Sequence, residues 1–325
     1  MSVKITGIGH AVPDGVLTNF DLEKMMDTSD EWITERTGIK ERRIAPKGSA
    51  TSEYAARASR KAMDMAGVGP EEIDAIIVAT LTPDMKFPST ACFLQEKLGA
   101  QRAYAFDLNA ACSGFIYSLT VAKGLIESGA ARKVLVSGAE LLSTIINFDD
   151  RSTAVLFGDG AGAVVLEDVP DEEGIICTAL HSDGSLWELL NCPGGGSVYP
   201  ISKEMIDEKL HYIRMNGNET FKNAVTRLVE VTREVLEKSG RTIDDIDLFI
   251  PHQANKRIID AVAKRLGLSD GKAYLNLHKY GNTSAASIPI AMSEAWEEGA
   301  LKKGDLLLIS AFGAGLTWGS ALIRM

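Results

Sequence analysis

The chain has 325 residues, about twice the usual size of one domain, so two domains or two fused halves are expected and a short peptide scaffold is excluded. At 45% hydrophobic and 24% charged, with 30 Gly and 10 Pro, it is apolar enough for a large core, which excludes a disordered chain. Asp and Glu outnumber Lys and Arg by 44 to 34, for a net charge of −10, so the surface as a whole does not attract a nucleic-acid backbone.

In chain order, the opening MSVKITGIGH lacks the charged and apolar regions of a signal peptide. Cys92, Cys112, Cys177 and Cys192 show no close CxxC pairing, and together these features predict a reducing, cytoplasmic setting. Apolar runs predict a strand over 75–80, a helix over Thr90–Leu98, a strand over Tyr104–Leu108, a buried segment of helical length after Cys112, and a strand over 134–138. The acidic, Pro-containing stretch 168–173 is the expected boundary between an N-terminal half, 1–170, and a C-terminal half, 171–325. In the latter, NCPGGGSVY at 191–199 predicts a loop able to border a pocket. A helix over 221–238, a strand over 247–251, a helix over Lys256–Leu266 and a strand over 306–310 follow. The uncharged run 306–323 approaches membrane-spanning length, but Gly313, Gly315 and Gly319 interrupt it, so two buried strands joined by a glycine turn fit better. Strands alternating with helices define an α/β fold.

The order of elements repeats. Gly67, Ile73 and Asp74 find Gly240, Ile246 and Asp247 at an offset of 173, and Ala103, Tyr104, Glu127, Gly129 and Ala130 find Ala273, Tyr274, Glu297, Gly299 and Ala300 at 170. Gly160-Ala161-Gly162 is matched to Gly313-Ala314-Gly315 at a smaller offset, because the first half carries extra residues around 141–151. The offset of 170 places Asn282 at the equivalent of Cys112, and pseudo-twofold packing is expected to bring the two together.

Three residues stand in settings suited to chemistry. Cys112, in DLNAACSGF, follows a strand and opens a helix, where orphan N–H groups and the helix dipole favour a thiolate; a buried packing cysteine is the alternative, and the other three cysteines keep that reading. His252, in FIPHQAN, follows an apolar strand, where α/β sites gather, or is a hydrogen-bonded structural histidine; His10, His181, His211 and His278 have no comparable surroundings. Asn282, in KYGNTSAAS, is alone a glycine turn with an Asn cap. Together they form a Cys, His and Asn set contributed by both halves. FGDGAG lacks the spacing and Lys of a phosphate loop and reads as a structural turn, whereas AFGAGLTWG offers backbone N–H groups to an oxyanion. His and Cys show no metal-ligand spacing.

The motifs DTSDEWITERTGI (27–39), FPSTAC (87–92), AACSGF (110–115), PHQAN (251–255) and YGNTSAASIP (280–289), spread over essentially the whole chain, resemble β-ketoacyl-acyl carrier protein synthase III of the thiolase superfamily. The resemblance implies a five-layered αβαβα fold of two duplicated halves. It implies Cys112, His252 and Asn282 as catalytic residues, with the backbone N–H groups of Cys112 and Ala314 at the oxyanion. It further implies coenzyme A contacts at Thr28, Trp32, Arg36, Arg151 and Asn218, and an acyl pocket at Leu142, Phe157 and Leu189, with Phe87 inserted from a partner subunit. The implied reaction condenses acetyl-coenzyme A, or another short acyl-coenzyme A, with malonyl-acyl carrier protein. Coenzyme A is then a substrate, no cofactor is tightly bound, no membrane or nucleic acid is involved, and the enzyme is a homodimer. Arg257, Lys264 and Arg265 are the expected carrier-protein contacts. A degradative thiolase would carry a second Cys where Ala311-Phe312-Gly313 stands, and an elongating synthase a second His where Asn282 stands. The alternatives are a related condensing enzyme with another primer or product, and a noncatalytic acyl-coenzyme A binding protein.

Overall fold

The structure is a computed structural model that describes residues 2–170 and 174–325. Of the expected boundary at 168–173, residues 171–173 lie outside the described residues.

Buried, continuously apolar strands need cover on both faces, and the chain supplies it with three layers of helix around two sheets. The first sheet runs in the order Val3–Ala11, Asp159–Asp168, Lys133–Leu141, Ala75–Ala79, Tyr104–Leu108. Its first two junctions are antiparallel and its last two parallel. The second sheet repeats this plan with Ile175–Ser182, Thr317–Arg324, Leu306–Gly313 and Leu248–Pro251, in the same sequence of strand senses. Where a fifth strand would run there is a single parallel bridge, Phe249 to Ala273.

Alternation along each strand divides the core. In Lys133–Leu141, Val134 and Val136 face the middle of the molecule and Leu135 faces outward. The outward face packs under helices Thr51–Ala66 and Thr90–Leu98 through Ala58, Ala62 and Leu94. This contact is close: a Cβ at Gly7 of the first strand would lie 2.0 Å from the Ala62 carbonyl oxygen. Helices Gly114–Glu127 and Ser287–Glu297 form the middle layer, where Phe115, Leu119, Ile288 and Met292 pack with Val136 of one sheet and Ile250 and Ile309 of the other. Helices Gly217–Ser239 and Lys256–Leu266 cover the far face through Val225, Leu228 and Val262 on Phe249 and Leu308. The result is the five-layered αβαβα duplication that the resemblance implies.

The register corrects two of the equivalences read from the sequence. In the antiparallel ladders, Gly138 pairs with Gly162 and Ala311 with Gly319, so Gly162 corresponds to Gly319. Gly160-Ala161-Gly162 lies within a strand, whereas Gly313-Ala314-Gly315 ends one strand and begins the turn to the next. Likewise, the 3₁₀ turns Ala111–Ser113 and Ser284–Ala286 correspond, both opening on a residue of positive φ, Ala111 at 46° and Ser284 at 50°. Asn282 is therefore the equivalent of Asn109, and Cys112 that of Ala285. The side chains agree: Asn109 Oδ1 accepts from the Ala111 N–H at 3.1 Å and Asn282 Oδ1 from the Ser284 N–H at 2.8 Å. The offset of 170 holds only at the far ends of the two helices, because Gly114–Glu127 has 14 residues and Ser287–Glu297 has 11. Between the strands that carry these glycines, the first half inserts the 3₁₀ turn Leu142–Ile145 and the short helix Arg151–Ala154, at the place expected for its extra residues.

Candidate active site

The C-terminal ends of strands Tyr104–Leu108, Leu248–Pro251 and Leu306–Gly313 deliver their following residues to one place, beside the start of the middle helices. Cys112, 7% exposed, stands in the 3₁₀ turn ahead of Gly114–Glu127. Both halves hold this turn: Thr317 Oγ1 donates to the Ala110 carbonyl at 2.9 Å, and Ser113 Oγ donates to the Thr317 carbonyl at 3.0 Å. Gly313 is required alongside, since a Cβ there would lie 2.7 Å from the Cys112 nitrogen. The turn thus has backbone of the C-terminal half pressed against it.

The helix start does not leave Cys112 as a ready thiolate. Burial pushes the thiol up to about 12, opposed chiefly by the Ser284 hydroxyl, with the Glu140 charge adding a smaller push in the direction of burial. With burial as the largest influence, the thiol is held toward its protonated form. Burial thus works against the thiolate that the helix start favours.

His252 is 6% exposed and follows Leu248–Pro251, with its N–H donating to the Ser310 carbonyl at 2.8 Å. Nδ1 lies 2.6 Å from Ser287 Oγ, which also accepts from the Gln253 N–H at 3.4 Å. Burial lowers the imidazole to about 4, so it is neutral at pH 7. In the tautomer in which the Ser287 hydroxyl donates to Nδ1, the ring N–H stands on Nε2. Asn282, 7% exposed, is anchored by its own N–H to the Leu156 carbonyl at 2.8 Å, and its Oδ1 is taken by Ser284, which leaves Nδ2 as a free-standing donor group.

Cys112, His252 and Asn282 line the buried end of a cavity of about 720 Å³ whose rim carries the exposed residues Arg36, Asn218 and Arg257 together with Trp32. Arg151 lies over the Trp32 ring at 4.8 Å and Arg36 at 5.2 Å, so the indole is flanked by cations. A second cavity of about 440 Å³ meets the first at Cys112 and Phe157, and includes Leu142, Ile145, Ile213 and Ala314. The expected residues therefore separate. Phe157 borders both spaces, and Leu142 and Ala314 border the inner one. Thr28 and Arg151 lie outside both linings, Arg151 reaching the rim only through Trp32. Leu189 ends the 3₁₀ helix Gly184–Leu189 and packs with the outer layer at Gly217–Ser239, whereas Leu190, where the chain becomes extended, lines both cavities. Phe87 is 83% exposed and belongs to neither lining. Arg257 is at the rim, while Lys264 and Arg265 are exposed at the other end of the same helix.

Several neighbours escaped the sequence reading. Ser287, Asn109 and Ser284 look like ordinary turn residues until the register places them. Cys192 and His211 were assigned no special setting, yet both line the inner cavity, Cys192 from an exposed position on the 191–199 loop. Glu140 lies under the site, 1% exposed. Among the described residues, no group of His, Cys, Asp and Glu is arranged to hold a metal, and no helix is long and apolar enough to cross a membrane.

Two duplicated αβ halves with a Cys, His and Asn cluster at their junction define a thiolase-type condensing fold. A family model described as 3-oxoacyl-[acyl-carrier-protein (ACP)] synthase III matches residues 106–184, and its C-terminal counterpart matches 236–325. The chain is 57% identical over 320 residues to the beta-ketoacyl-[acyl-carrier-protein] synthase III of Caldanaerobacter subterraneus subsp. tengcongensis, covering 98% of this chain and 97% of that one. The crystal structure of 3-oxoacyl-[acyl-carrier-protein] synthase III from Aquifex aeolicus VF5 superposes with a TM-score of 0.93 at 53% identity, covering 100% of both chains. That from Pseudomonas aeruginosa PAO1 gives 0.93 at 39% identity, covering 100% of this chain and 98% of the other. The chain belongs to the β-ketoacyl-[acyl-carrier-protein] synthase III family. It is accordingly a condensing enzyme of the acyltransferase type that acts at the initiation of fatty acid synthesis.

Proposed function

We propose that Cys112 takes an acetyl group from acetyl-coenzyme A and that His252 and Asn282 promote decarboxylation of malonyl-acyl carrier protein at the same site, giving acetoacetyl-acyl carrier protein, coenzyme A and CO₂. The observation that carries this reading is the placement of all three side chains, nearly buried, at the inner end of a channel with a cation-flanked indole at its rim. Such a rim suits the adenine and phosphates of coenzyme A at Trp32, Arg36, Arg151 and Asn218, while the cofactor's thioester reaches inward as substrate.

In the first half-reaction the Cys112 thiol gives up its proton as its sulphur attacks the thioester carbon, the oxyanion is met by the N–H groups of Cys112 and Ala314, and coenzyme A leaves as a thiolate that takes a proton from solvent. The acetyl group then occupies the inner cavity beside Leu142 and Phe157. In the second, the malonyl thioester oxygen accepts hydrogen bonds from His252 Nε2 and Asn282 Nδ2. Breaking the bond to CO₂ leaves an enolate on that oxygen. Two neutral donors stabilise it without protonating it, and a histidine held at about 4 remains a neutral donor throughout the physiological range. The enolate carbon attacks the acetyl group and expels the Cys112 thiolate.

The carrier protein is an acidic partner, and Arg257, Lys264 and Arg265 on one helix form a basic surface for it beside the channel. Phe87 reaches the acyl pocket of a second subunit in a homodimer, which accounts for its exposure in a single chain. The protein works in the cytoplasm. Mass spectrometry after exposure to acetyl-coenzyme A tests the reading, with one acetyl group expected on the peptide that holds Cys112. An unmodified protein would support a noncatalytic binding role instead.

A further inference from the structure

Glu140 has no part in the scheme above, and its setting is unusual. It ends the strand Lys133–Leu141 on the face turned to the middle layer, the face of Val134 and Val136, and is 1% exposed. One carboxylate oxygen accepts from Thr82 Oγ1 at 2.5 Å, Thr80 Oγ1 at 3.2 Å and the Thr82 N–H at 3.1 Å, and the Leu81 N–H reaches both oxygens, at 3.2 and 3.3 Å. These donors come from the segment following Ala75–Ala79, so the carboxyl is fixed to the sheet floor. No cation is among its hydrogen-bond partners in these contacts.

Ser284 stands on the opposite side. Its backbone is held at φ 50°, with its N–H bonded to Asn282 Oδ1, so the hydroxyl has little freedom to move away. The side chain is 1% exposed and lines the second cavity together with Cys112, its buried Oγ has no hydrogen-bond partner, and the hydroxyl is close enough to influence both the Cys112 thiol and the Glu140 carboxyl. A buried hydroxyl without a settled partner is costly, and this one stands between an acid and a base. The close approach of the turn to the strand is enforced at Gly138, where a Cβ would lie 2.3 Å from the Ala285 carbonyl oxygen.

We propose that Ser284 and Glu140 form a proton relay for Cys112, in which the hydroxyl passes the thiol proton to the carboxylate as the sulphur attacks. This inference rests on the reading of Cys112 as nucleophile. The S–H bond breaks as a new O–H forms on Ser284, whose former proton forms an O–H on Glu140; no oxidant or co-reactant is needed. When the condensation expels the Cys112 thiolate, the same path returns the proton. The only proton drawn from solvent in the cycle is the one that coenzyme A carries away.

With the thiol raised to about 12 and the carboxyl to about 7, the transfer is uphill in isolation, so the proton moves in concert with the attack of the sulphur, as general-base assistance. Burial holds the carboxyl up at about 7, so near neutral pH a substantial fraction is ionised and able to accept, and the ionised form raises the thiol. Moving the proton from sulphur to carboxyl removes that repulsion. The charged groups of the surrounding elements are engaged elsewhere. On Gly114–Glu127, Lys123 pairs with Glu127 at the far end; on Ser287–Glu297, Glu294 is held by Lys279, Asn276 and Tyr280, and Glu297 lies beside His10. Asp159, opposite Leu141 on the adjacent strand, is tied to Ser143 and the Ala45 N–H. The titratable group turned toward Glu140 across Ser284 is Cys112.

The test is the pH dependence of single-turnover acetylation from acetyl-coenzyme A, followed by intact-protein mass, in the wild type, Glu140→Gln, Ser284→Ala and Cys112→Ala. The wild-type rate is expected to rise through an inflection near pH 7. Glu140→Gln and Ser284→Ala should each lose that inflection and slow by about 10²-fold, the usual scale for a lost general base, while CO₂ release from malonyl-acyl carrier protein stays at the wild-type level. If Glu140→Gln does not fold, Ser284→Ala decides the question, since it leaves the carboxyl and its Thr82 contacts in place. Retention of the inflection in Ser284→Ala, or equal loss in both half-reactions, overturns the relay. Acetylation that persists in Cys112→Ala instead overturns the assignment of the nucleophile, a separate failure.

Discussion

Asn282→Ala perturbs two quantities that the structure allows to be separated. The first is the Nδ2 donor, whose loss removes one of two hydrogen bonds to the forming enolate; a lost donor of this kind costs about 10²- to 10³-fold, or roughly 2.7–4 kcal/mol, in the step it serves. The second is Oδ1, which holds the buried Ser284 N–H at 2.8 Å. Leaving that N–H without an acceptor costs on the order of 1–3 kcal/mol of stability. The variant should therefore unfold at a lower denaturant concentration than the wild type, yet remain folded at room temperature. Carboxyl-labelled malonyl-acyl carrier protein in a single-turnover assay should release CO₂ at least about 10²-fold more slowly, while labelled acetyl-coenzyme A still loads Cys112. A full rate of CO₂ release, or blocked acetylation with decarboxylation intact, would refute the division of roles.

The buried neutral His252 makes a two-part pH prediction. Its folded-state value of about 4 lies below the ordinary 6.5, so the stability tied to the neutral ring is complete above about pH 6.5 and is lost as the pH falls through 4, a gap worth roughly 3 kcal/mol; thermal unfolding at successive pH values should show this loss, while the decarboxylation rate stays level between about pH 6 and 8. Lys264→Glu should raise the KM for carrier protein and leave acetyl loading unchanged, with the difference shrinking at high salt. Arg257→Glu should impair both half-reactions because Arg257 also borders the channel. Sedimentation should show a dimer at micromolar concentration, and Phe87→Ser, which removes an exposed ring from the surface, should alter acyl-chain preference; a stable, fully active monomer would contradict the role of Phe87.

The fold was legible where apolar periodicity was uninterrupted. Thr90–Leu98, Tyr104–Leu108 and Lys256–Leu266 were placed to the residue, because each is bounded by a glycine, a cap or a turn that stops its pattern. The strand Lys133–Leu141 runs further than 134–138 since its pairing continues to Asp159, a tertiary fact that propensity does not carry. Cys112, His252 and Asn282 could be singled out from their local settings and from the family motifs, but the offset of 170 paired Cys112 with Asn282, whereas the register pairs Cys112 with Ala285 and Asn282 with Asn109. A three-residue difference in helix length moves the offset from 173 to 170, and sequence matches at the helix ends show only the second value. The raised thiol was equally hidden: a helix start is visible in sequence, whereas burial beside Glu140 comes from a strand 28 residues further along the chain. Ser287, Ser284 and Leu190 acquire meaning only from the direction in which the fold points them.

The central claim is that one sulphur carries the acetyl group between the two substrates. The direct measurement is peptide mass spectrometry of protein exposed to labelled acetyl-coenzyme A, followed by a chase with malonyl-acyl carrier protein. The account predicts one label per chain on the peptide containing Cys112, its transfer to acetoacetyl-acyl carrier protein during the chase, and neither event in Cys112→Ala. Label on another residue, or product formed by Cys112→Ala, would contradict it.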